Sequence, residues 1–300
     1  MTASLVVAAS VDEAVRELAA GARAVAGGTD LVVGARQGKA PLPERLVAIH
    51  RLDELRGLRE TDGMLRLGAL ATHTDIVASS TVRDRLTALA DASAIVGSHA
   101  TRAHGSIGGN LMNASPAMET GGPLLCFDAS VVLRSASATR AIGVAELLAG
   151  PGLTTAAPDE LLEAVDLPLP PEGTGSCYLR LEYRRQMEIA VVGVTAVLVL
   201  DGGRVADARV AITALAPTIR RVAAAEAALL DTDAGRVAVE AAAQAAAAAS
   251  EPISDVRASA RYRQAMTVVI ARRAIEVAAA RARGADVPVP ASPALHGGLT

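Results

Sequence analysis

Apolar and polar positions along the 300-residue chain repeat with two periods, and the changes of period mark its elements. Val11, Ala14, Val15 and Leu18 recur at helical spacing, and Ser10 with Glu13 has the S-x-x-E form of a capping box, so an amphipathic helix is predicted from Ser10 to about Gly21. A brief apolar strand at 24–26, a Gly27-Gly28 turn and a helical run from Thr29 or Asp30 to Gly38 follow. "RLVAIHRL" (45–52) reads as a strand. Residues 55–70 hold two alternating runs across Thr61-Asp62-Gly63, the chemistry of a hairpin turn. A helix from Thr74 and helical patterning within 82–98 lead into "HGSIGGNLMNASPAME" (104–119), whose glycines and asparagines are expected to form a loop before apolar patterning resumes at 121–135.

The strand-like "LLEAVDLPL" (161–169) runs into Pro170-Pro171-Glu172-Gly173, which continues neither helix nor sheet, so a new unit is expected to begin near Gly173. Residues 190–215 form the clearest hairpin, two long apolar runs across Asp201-Gly202-Gly203. Beyond Pro217 the pattern is mostly helical. The alanine-rich stretch from Val237 to Ala249 is expected to be a closely packed helix, because alanine has the highest helix propensity.

Composition narrows the function. With 51% apolar residues the chain can bury a substantial core, yet it has no apolar run of the roughly 18 to 20 residues that a membrane span needs. The N-terminal stretch turns acidic and helical where a signal peptide would show a cleavage site, so a cytoplasmic address is expected. A net charge of −3, no Trp, three Tyr and one Phe provide neither a basic track nor stacking platforms, which argues against nucleic acid as a partner. Cys126 and Cys177 lie far apart without a CxxC, so they are expected as unpaired buried thiols rather than ligands of zinc or of an iron–sulfur cluster. His99 and His104 lack a carboxylate partner and are expected to make backbone hydrogen bonds, not to bind metal.

The two glycine-rich turns carry the candidate chemistry. A dinucleotide's pyrophosphate accepts hydrogen bonds on charged oxygens, and main-chain N–H groups reach it best where no Cβ intervenes. Gly27-Gly28-Thr29 and Ser106-Ile107-Gly108-Gly109-Asn110 each offer backbone donors at the start of a segment, with a hydroxyl or a side-chain amide nearby. Neither is a Walker loop and neither has the G-x-G-x-x-G of the Rossmann turn, so a dinucleotide bound here requires another scaffold.

With these turns, "LRLGALATHTDIVASS" (65–80), "CYLRLEYRRQMEIAVVGVTAVL" (177–198) and "ISDVRASARYRQAMTVVIARRAI" (253–275), the chain resembles the FAD-binding (medium) subunit of the molybdenum hydroxylases, relatives of carbon monoxide dehydrogenase and xanthine dehydrogenase. The resemblance covers about residues 3–285. It implies an α+β chain with the FAD-binding fold of the vanillyl-alcohol oxidase and p-cresol methylhydroxylase type. The implied units are FAD-binding subdomains at 1–55 and 56–172, a C-terminal flavoprotein domain at 173–287 with a three-stranded sheet and helices, and a tail at 288–300.

By the same resemblance Ala26, Gly27, Gly28, Thr29 and Asp30 form the first pyrophosphate loop, and Ser106, Ile107, Gly108, Gly109 and Asn110 the second. Thr101 and Ser115 join the cofactor contacts. Glu119 stands where the family usually has an aspartate toward the ribose or phosphate region. Leu161 and Leu162 match backbone passing near the flavin ring, and Arg180 matches a basic residue beside it, where a cation would stabilise the anionic reduced flavin. The implied activity is electron transfer without a catalytic side chain. Substrate is hydroxylated on a large molybdopterin-binding subunit, electrons cross the [2Fe-2S] clusters of a small subunit, and FAD hands them to an external acceptor, NAD or a quinone, in a dimer of heterotrimers. A freestanding flavin-dependent oxidoreductase of this fold and a scaffold subunit that has lost FAD are the alternatives.

Overall fold

The computed structural model describes residues 4–38, 40–184 and 186–292 of a mixed α+β chain, and the tail expected at 288–300 lies outside the described residues from 293 on. The first unit runs β1 (Ser4–Val7), α1 (Val11–Ala19), β2 (Arg23–Val25), α2 (Leu31–Arg36) and β3 (Arg45–Ala48), with the parallel strand order β1-β3-β2. Helix α1 buries Val11, Ala14, Val15 and Leu18, the face its period predicts, and the Ser10 side chain accepts a hydrogen bond from the amide of Glu13. The strand expected over 45–52 ends at Ala48, where the chain leaves the sheet toward a single 3-10 turn at Asp53–Leu55.

The second unit starts with the hairpin β4 (Leu58–Thr61) and β5 (Met64–Gly68), then α3 (His73–Ala78), α4 (Ser80–Arg85), α5 (Thr87–Ile95), α6 (His99–Arg102), α7 (Ile107–Asn113) and α8 (Gly121–Cys126). It closes with β6 (Ser130–Arg134), β7 (Thr139–Gly143), α9 (Val144–Leu147), β8 (Leu148–Gly150), β9 (Leu153–Thr154) and β10 (Leu161–Pro168). β10 is the centre of an antiparallel sheet ordered β4-β5-β10-β6-β7. Leu65, Leu67, Leu133 and Val165 of the sheet share a core with Leu89 of α5, Leu111 of α7 and Leu124 of α8.

One expectation is corrected here. The stretch 104–119 is not a loop throughout, because Ile107–Asn113 is helical. Two glycines and two asparagines make a poor helix, but Ile107 and Leu111, four residues apart, are both fully buried, and their packing outweighs propensity. Ser106 caps the turn by accepting from the amide of Gly109, and the helix stops at Ala114 with φ +46°.

The third unit consists of the long antiparallel strands β11 (Thr174–Leu181), β12 (Val192–Asp201) and β13 (Arg204–Thr213), then β14 (Arg220–Arg221), α10 (Ala223–Ala227), α11 (Arg236–Ala248) and α12 (Ala260–Ala282). The predicted three-stranded sheet therefore has a fourth, two-residue strand at its edge, and the chain beyond Pro217 returns once to the sheet before turning helical. Both faces of this sheet are covered. Cys177, Leu179, Val194, Ala196 and Ile212 pack with the alanines of α11 and α12, whereas Tyr178, Val197 and Ala211 join the core of the second unit. Two-sided burial explains why residues 190–215 read as nearly continuous apolar runs.

A buried ion pair ties the third unit to the second. Asp91 of α5 is fully buried; its Oδ2 lies 2.6 Å from Nη1 of Arg281 in α12, and the carboxylate also accepts from the amides of Tyr178 (3.2 Å) and Ala291 (2.9 Å). Cys126 and Cys177 are free and buried. Among the described residues no helix is long and apolar enough to cross a membrane.

Candidate functional site

The two glycine turns, about 80 residues apart in sequence, touch through their backbones. A Cβ at Gly27 would lie 2.0 Å from the carbonyl oxygen of His104, so the bare α-carbon at 27 is what lets the turns meet. Gly28 adopts φ +69°, the left-handed region that glycine enters without strain. Gly105 sits at the junction: a Cβ there would be 3.0 Å from the carbonyl oxygen of Thr101, 3.5 Å from Cδ2 of His73 and 3.6 Å from Oγ1 of Thr29. The segment between β5 and α3 fastens the second turn from below. The amide of His73 donates to the carbonyl of Gly105 at 3.1 Å, and Thr72 forms an isolated bridge with Ser106.

The turns differ in what their main chain offers. In the second, the amide of Ile107 donates to the carbonyl of Ala71 (2.9 Å), that of Gly108 to Ala69 (2.9 Å), that of Gly109 to Oγ of Ser106 (3.2 Å) and that of Asn110 to the carbonyl of Ser106 (2.9 Å). The expectation that both turns present open backbone donors thus holds for the first only. Gly108 is a glycine for another reason, since a Cβ there would strike the carbonyl oxygen of Ala69 at 2.7 Å. In the first turn, the amides of Gly27, Gly28 and Thr29 make no hydrogen bond among the described residues, and Gly27 is exposed. Ala26 leads into this turn and packs at the edge of the first unit's core, while Asp30 follows it at the N-cap of α2.

The remaining expected residues lie on the second and third units. Oγ1 of Asn110's neighbour in space, Thr120, donates to Oδ1 of Asn110 at 2.6 Å, which fixes the amide orientation one residue from Glu119. Glu119 is buried and its Oε1 lies 2.5 Å from Nη1 of Arg180. Arg180, itself 2% exposed, also bonds Glu182 through Nε and the carbonyl of Glu188 through Nη1 (3.2 Å), while its Nη2 is buried with no partner among the described residues. Burial pushes the Glu119 carboxyl above its usual range, opposed by the Arg180 charge beside it. Thr101 donates to the sulfur of Met187 (3.6 Å), which brings Met187 of the third unit against α6. Oγ of Ser115 accepts from the amide of Ala117 at 3.2 Å. Leu161 and Leu162 are buried in the cores of the first and second units respectively, so only their main chain is available to a ligand.

His99 and His104 diverge: Nδ1 of His99 lies 3.1 Å from Nη2 of Arg102, and Nδ1 of His104 lies 3.1 Å from the carbonyl oxygen of Ala100. The sequence reading passed over His73, Arg102 and Gly105. Arg102 and Gly105 stand within or beside the quoted motif, but their burial and contacts have no local signature. His73 is 1% exposed with Nδ1 unpartnered, and burial, reinforced by the Arg102 charge, lowers its pKa to about 4.

That shift sets a pH dependence. Between the unfolded pKa near 6.5 and the folded value of about 4, the unfolded chain binds the His73 proton and the folded chain does not. This contribution to stability is full above pH 6.5 and declines as the pH falls toward 4, by about 3 kcal/mol. Urea unfolding across that window is expected to show a shallower loss of stability for His73→Gln than for the wild type.

Comparison with known proteins gives consistent matches over both halves of the chain. A family model described as the FAD binding domain in molybdopterin dehydrogenase matches residues 1–170, and one described as the CO dehydrogenase flavoprotein C-terminal domain matches residues 177–278. The carbon monoxide dehydrogenase medium chain of Hydrogenophaga pseudoflava is 32% identical over 275 residues, 91% of this chain and 95% of the relative. Subunit alpha of the 6-hydroxypseudooxynicotine dehydrogenase complex of Paenarthrobacter nicotinovorans is 33% identical over 284 residues, 93% of this chain and 95% of the relative. A solved structure of the H. pseudoflava carbon monoxide dehydrogenase contains a chain similar to this one with a TM-score of 0.90 at 33% identity, covering 94% of this chain and 98% of that one.

Proposed function

The chain belongs to the FAD-binding medium subunits of the molybdenum hydroxylases, oxidoreductases of several subunits, and from that membership we propose that it is the electron exit of such a complex. Its cofactor is FAD, which when bound supplies electron transfer through the isoalloxazine ring. The chain's own residues bind, orient and shield it. The observation that carries the reading is the run of unpaired amides at Gly27, Gly28 and Thr29, held open against the second turn, which suits the oxygens of a diphosphate.

In this proposal Ala26 to Asp30 form one wall of the diphosphate site, and Thr101, Ser106, Ile107, Gly108, Gly109, Asn110 and Ser115 the other, with the Asn110 amide oriented by Thr120. The main chain at Leu161 and Leu162 borders the ring. Arg180, held in place by Glu119, would supply the cation at the ring, and Glu119 would act through that guanidinium as well as toward the ribose side. A fixed cation at the ring favours electron density arriving there. The two FAD-binding subdomains are residues 1–55 and 56–172 and the C-terminal domain is 173–287, a division supported by the three separate main sheets.

Electrons arrive from the [2Fe-2S] clusters of a small subunit that also serves a large molybdopterin-binding subunit, and leave to NAD or a quinone. The proposal includes a dimer of such heterotrimers and a cytoplasmic address. Expression with the neighbouring genes tests it. The full chain is expected to purify with flavin absorption and with two partner chains, one carrying molybdopterin and one carrying iron and sulfide. A flavin-loaded chain that purifies alone and reduces a small substrate directly would establish the freestanding enzyme instead, and a colourless chain would establish the scaffold.

A further inference from the structure

The first unit leaves one face of its parallel sheet open. Side chains alternate along a strand, and the β1-β3-β2 register sorts them: Val6, Val47 and Ala24 share one side, while Leu5 with Leu46 and Arg23, then Val7 with Ala48 and Val25, share the other. Helix α1 covers the first side, where Val47 shares a core with Val11, Val15 and Leu18, and Arg45 donates to the carbonyl of Ala20 at 2.9 Å. On the second side Leu5 is 61% exposed, Val7 is exposed, and Leu46 and Val25 are half-buried. Helix α2 does not close this side, because none of its side chains is buried and Val32 and Val33 are themselves exposed. It stands at one margin: Cγ2 of Val32 and Cγ2 of Val25 lie 3.3 and 3.7 Å from the Cβ position of Gly28.

Parallel sheets occur with both faces covered, so an apolar face left exposed on one marks a contact surface. Its charge and its place say what covers it. Arg23 on the face and Arg36 at the end of α2 are exposed and form no ion pair among the described residues, and they outweigh the Glu44 carboxylate just before β3. A second copy packed face to face would set these guanidiniums against each other, whereas a partner with an apolar centre and a carboxylate rim matches them. The face also adjoins the FAD turn, since Val25 ends β2 two residues before Gly27 and α2 starts directly after Asp30. A chain seated there touches the wall of the cofactor site, as a donor of electrons must and a chain that only binds the substrate need not. We infer that this face is the docking surface for the iron–sulfur subunit, which meets it with an apolar patch edged by Asp and Glu. The inference rests on the electron-exit reading above and adds where the donor sits.

The test uses the full FAD-loaded chain and the iron–sulfur subunit co-expressed from the neighbouring genes. Leu5→Glu and Val33→Glu place a carboxylate in the face, Arg23→Glu reverses its charge, and Val237→Glu, at an exposed position of α11 in the third unit, is the control. Melting temperature and FAD content are measured for each chain, with the affinity for the iron–sulfur subunit and its dependence on salt. Leu5→Glu and Val33→Glu are expected to melt and hold FAD as the wild type does, and to bind the iron–sulfur subunit about tenfold or more weakly, because the contact then buries an unpaired carboxylate. Arg23→Glu is expected to slow association and to flatten its salt dependence, the mark of a rim charge that steers the partner. Val237→Glu is expected to match the wild type in every measurement. Affinity within about threefold of wild type in both face variants would overturn the inference. So would loss of the large subunit or of self-association with the iron–sulfur subunit still bound, or loss of FAD in Leu5→Glu, since each gives the face to another occupant. A wild-type chain that purifies with FAD but binds no iron–sulfur subunit would overturn the electron-exit reading itself, a separate failure.

Discussion

Gly27→Ala is expected to strip the chain of flavin and to lower its stability together. The added methyl carbon would sit 2.0 Å from the carbonyl oxygen and 2.7 Å from the carbonyl carbon of His104. Both are backbone atoms, so no side-chain rotation relieves the clash, and the two turns must part by more than an ångström to restore van der Waals contact, which is about 3.4 Å for such pairs. Overpacking of this kind costs about 1–3 kcal/mol of stability. The larger effect falls on binding, because the amides of residues 27–29 move away from the second turn and the charge-assisted hydrogen bonds they would make lose their common target. Losing two such bonds corresponds to a weakening of FAD of about a hundredfold or more. Fluorescence titration of FAD and thermal melting measure the two effects. Full flavin occupancy in Gly27→Ala would show that the turns do not grip one ligand.

Asp91→Ala is expected to be the most destabilising single change in the chain. Asp91 is fully buried, and its carboxylate is shared by Arg281 of α12 and by the amides of Tyr178 and Ala291. Its removal leaves a guanidinium that is 7% exposed at the side chain without its anion, and two amides without their acceptor. Breaking a buried pair from one side costs about 3–5 kcal/mol, because the surviving charge stays buried. Since α5 and α12 belong to different units, the loss appears as early detachment of the third unit in urea unfolding. The double variant Asp91→Ala with Arg281→Ala is expected to lose less than the sum of the two single losses, the signature of a direct pair. Additive losses would place the stabilisation in something other than this contact.

Much of the fold was legible because its causes are local. Helix α1 follows from a period and a cap, the β4–β5 and β12–β13 hairpins from turn residues between alternating runs, and the break before β11 from consecutive prolines. The two glycine turns stood out for the same reason. Helix α7 was not legible, because its residues disfavour a helix locally and only the burial of Ile107 and Leu111 selects one. The reason for Gly108 was also hidden. Read alone, its bare α-carbon suggests approach to a ligand, but in the fold it serves approach to Ala69. Neither Arg102 nor His73 carried any sign in the sequence of being buried.

The amino-acid sequence by itself determined helix α1, the β4–β5 and β12–β13 hairpins, the proline break before β11 and the two glycine-rich turns, all of which depend on neighbours a few residues apart. Only the tertiary structure decided which of those turns keeps its amides free, which glycine serves packing, and which charges end up buried with or without partners. Those outcomes depend on contacts such as Gly27 with His104, Glu119 with Arg180 and Asp91 with Arg281, and a contact between residues tens to hundreds of positions apart leaves no period or spacing in the chain that could announce it.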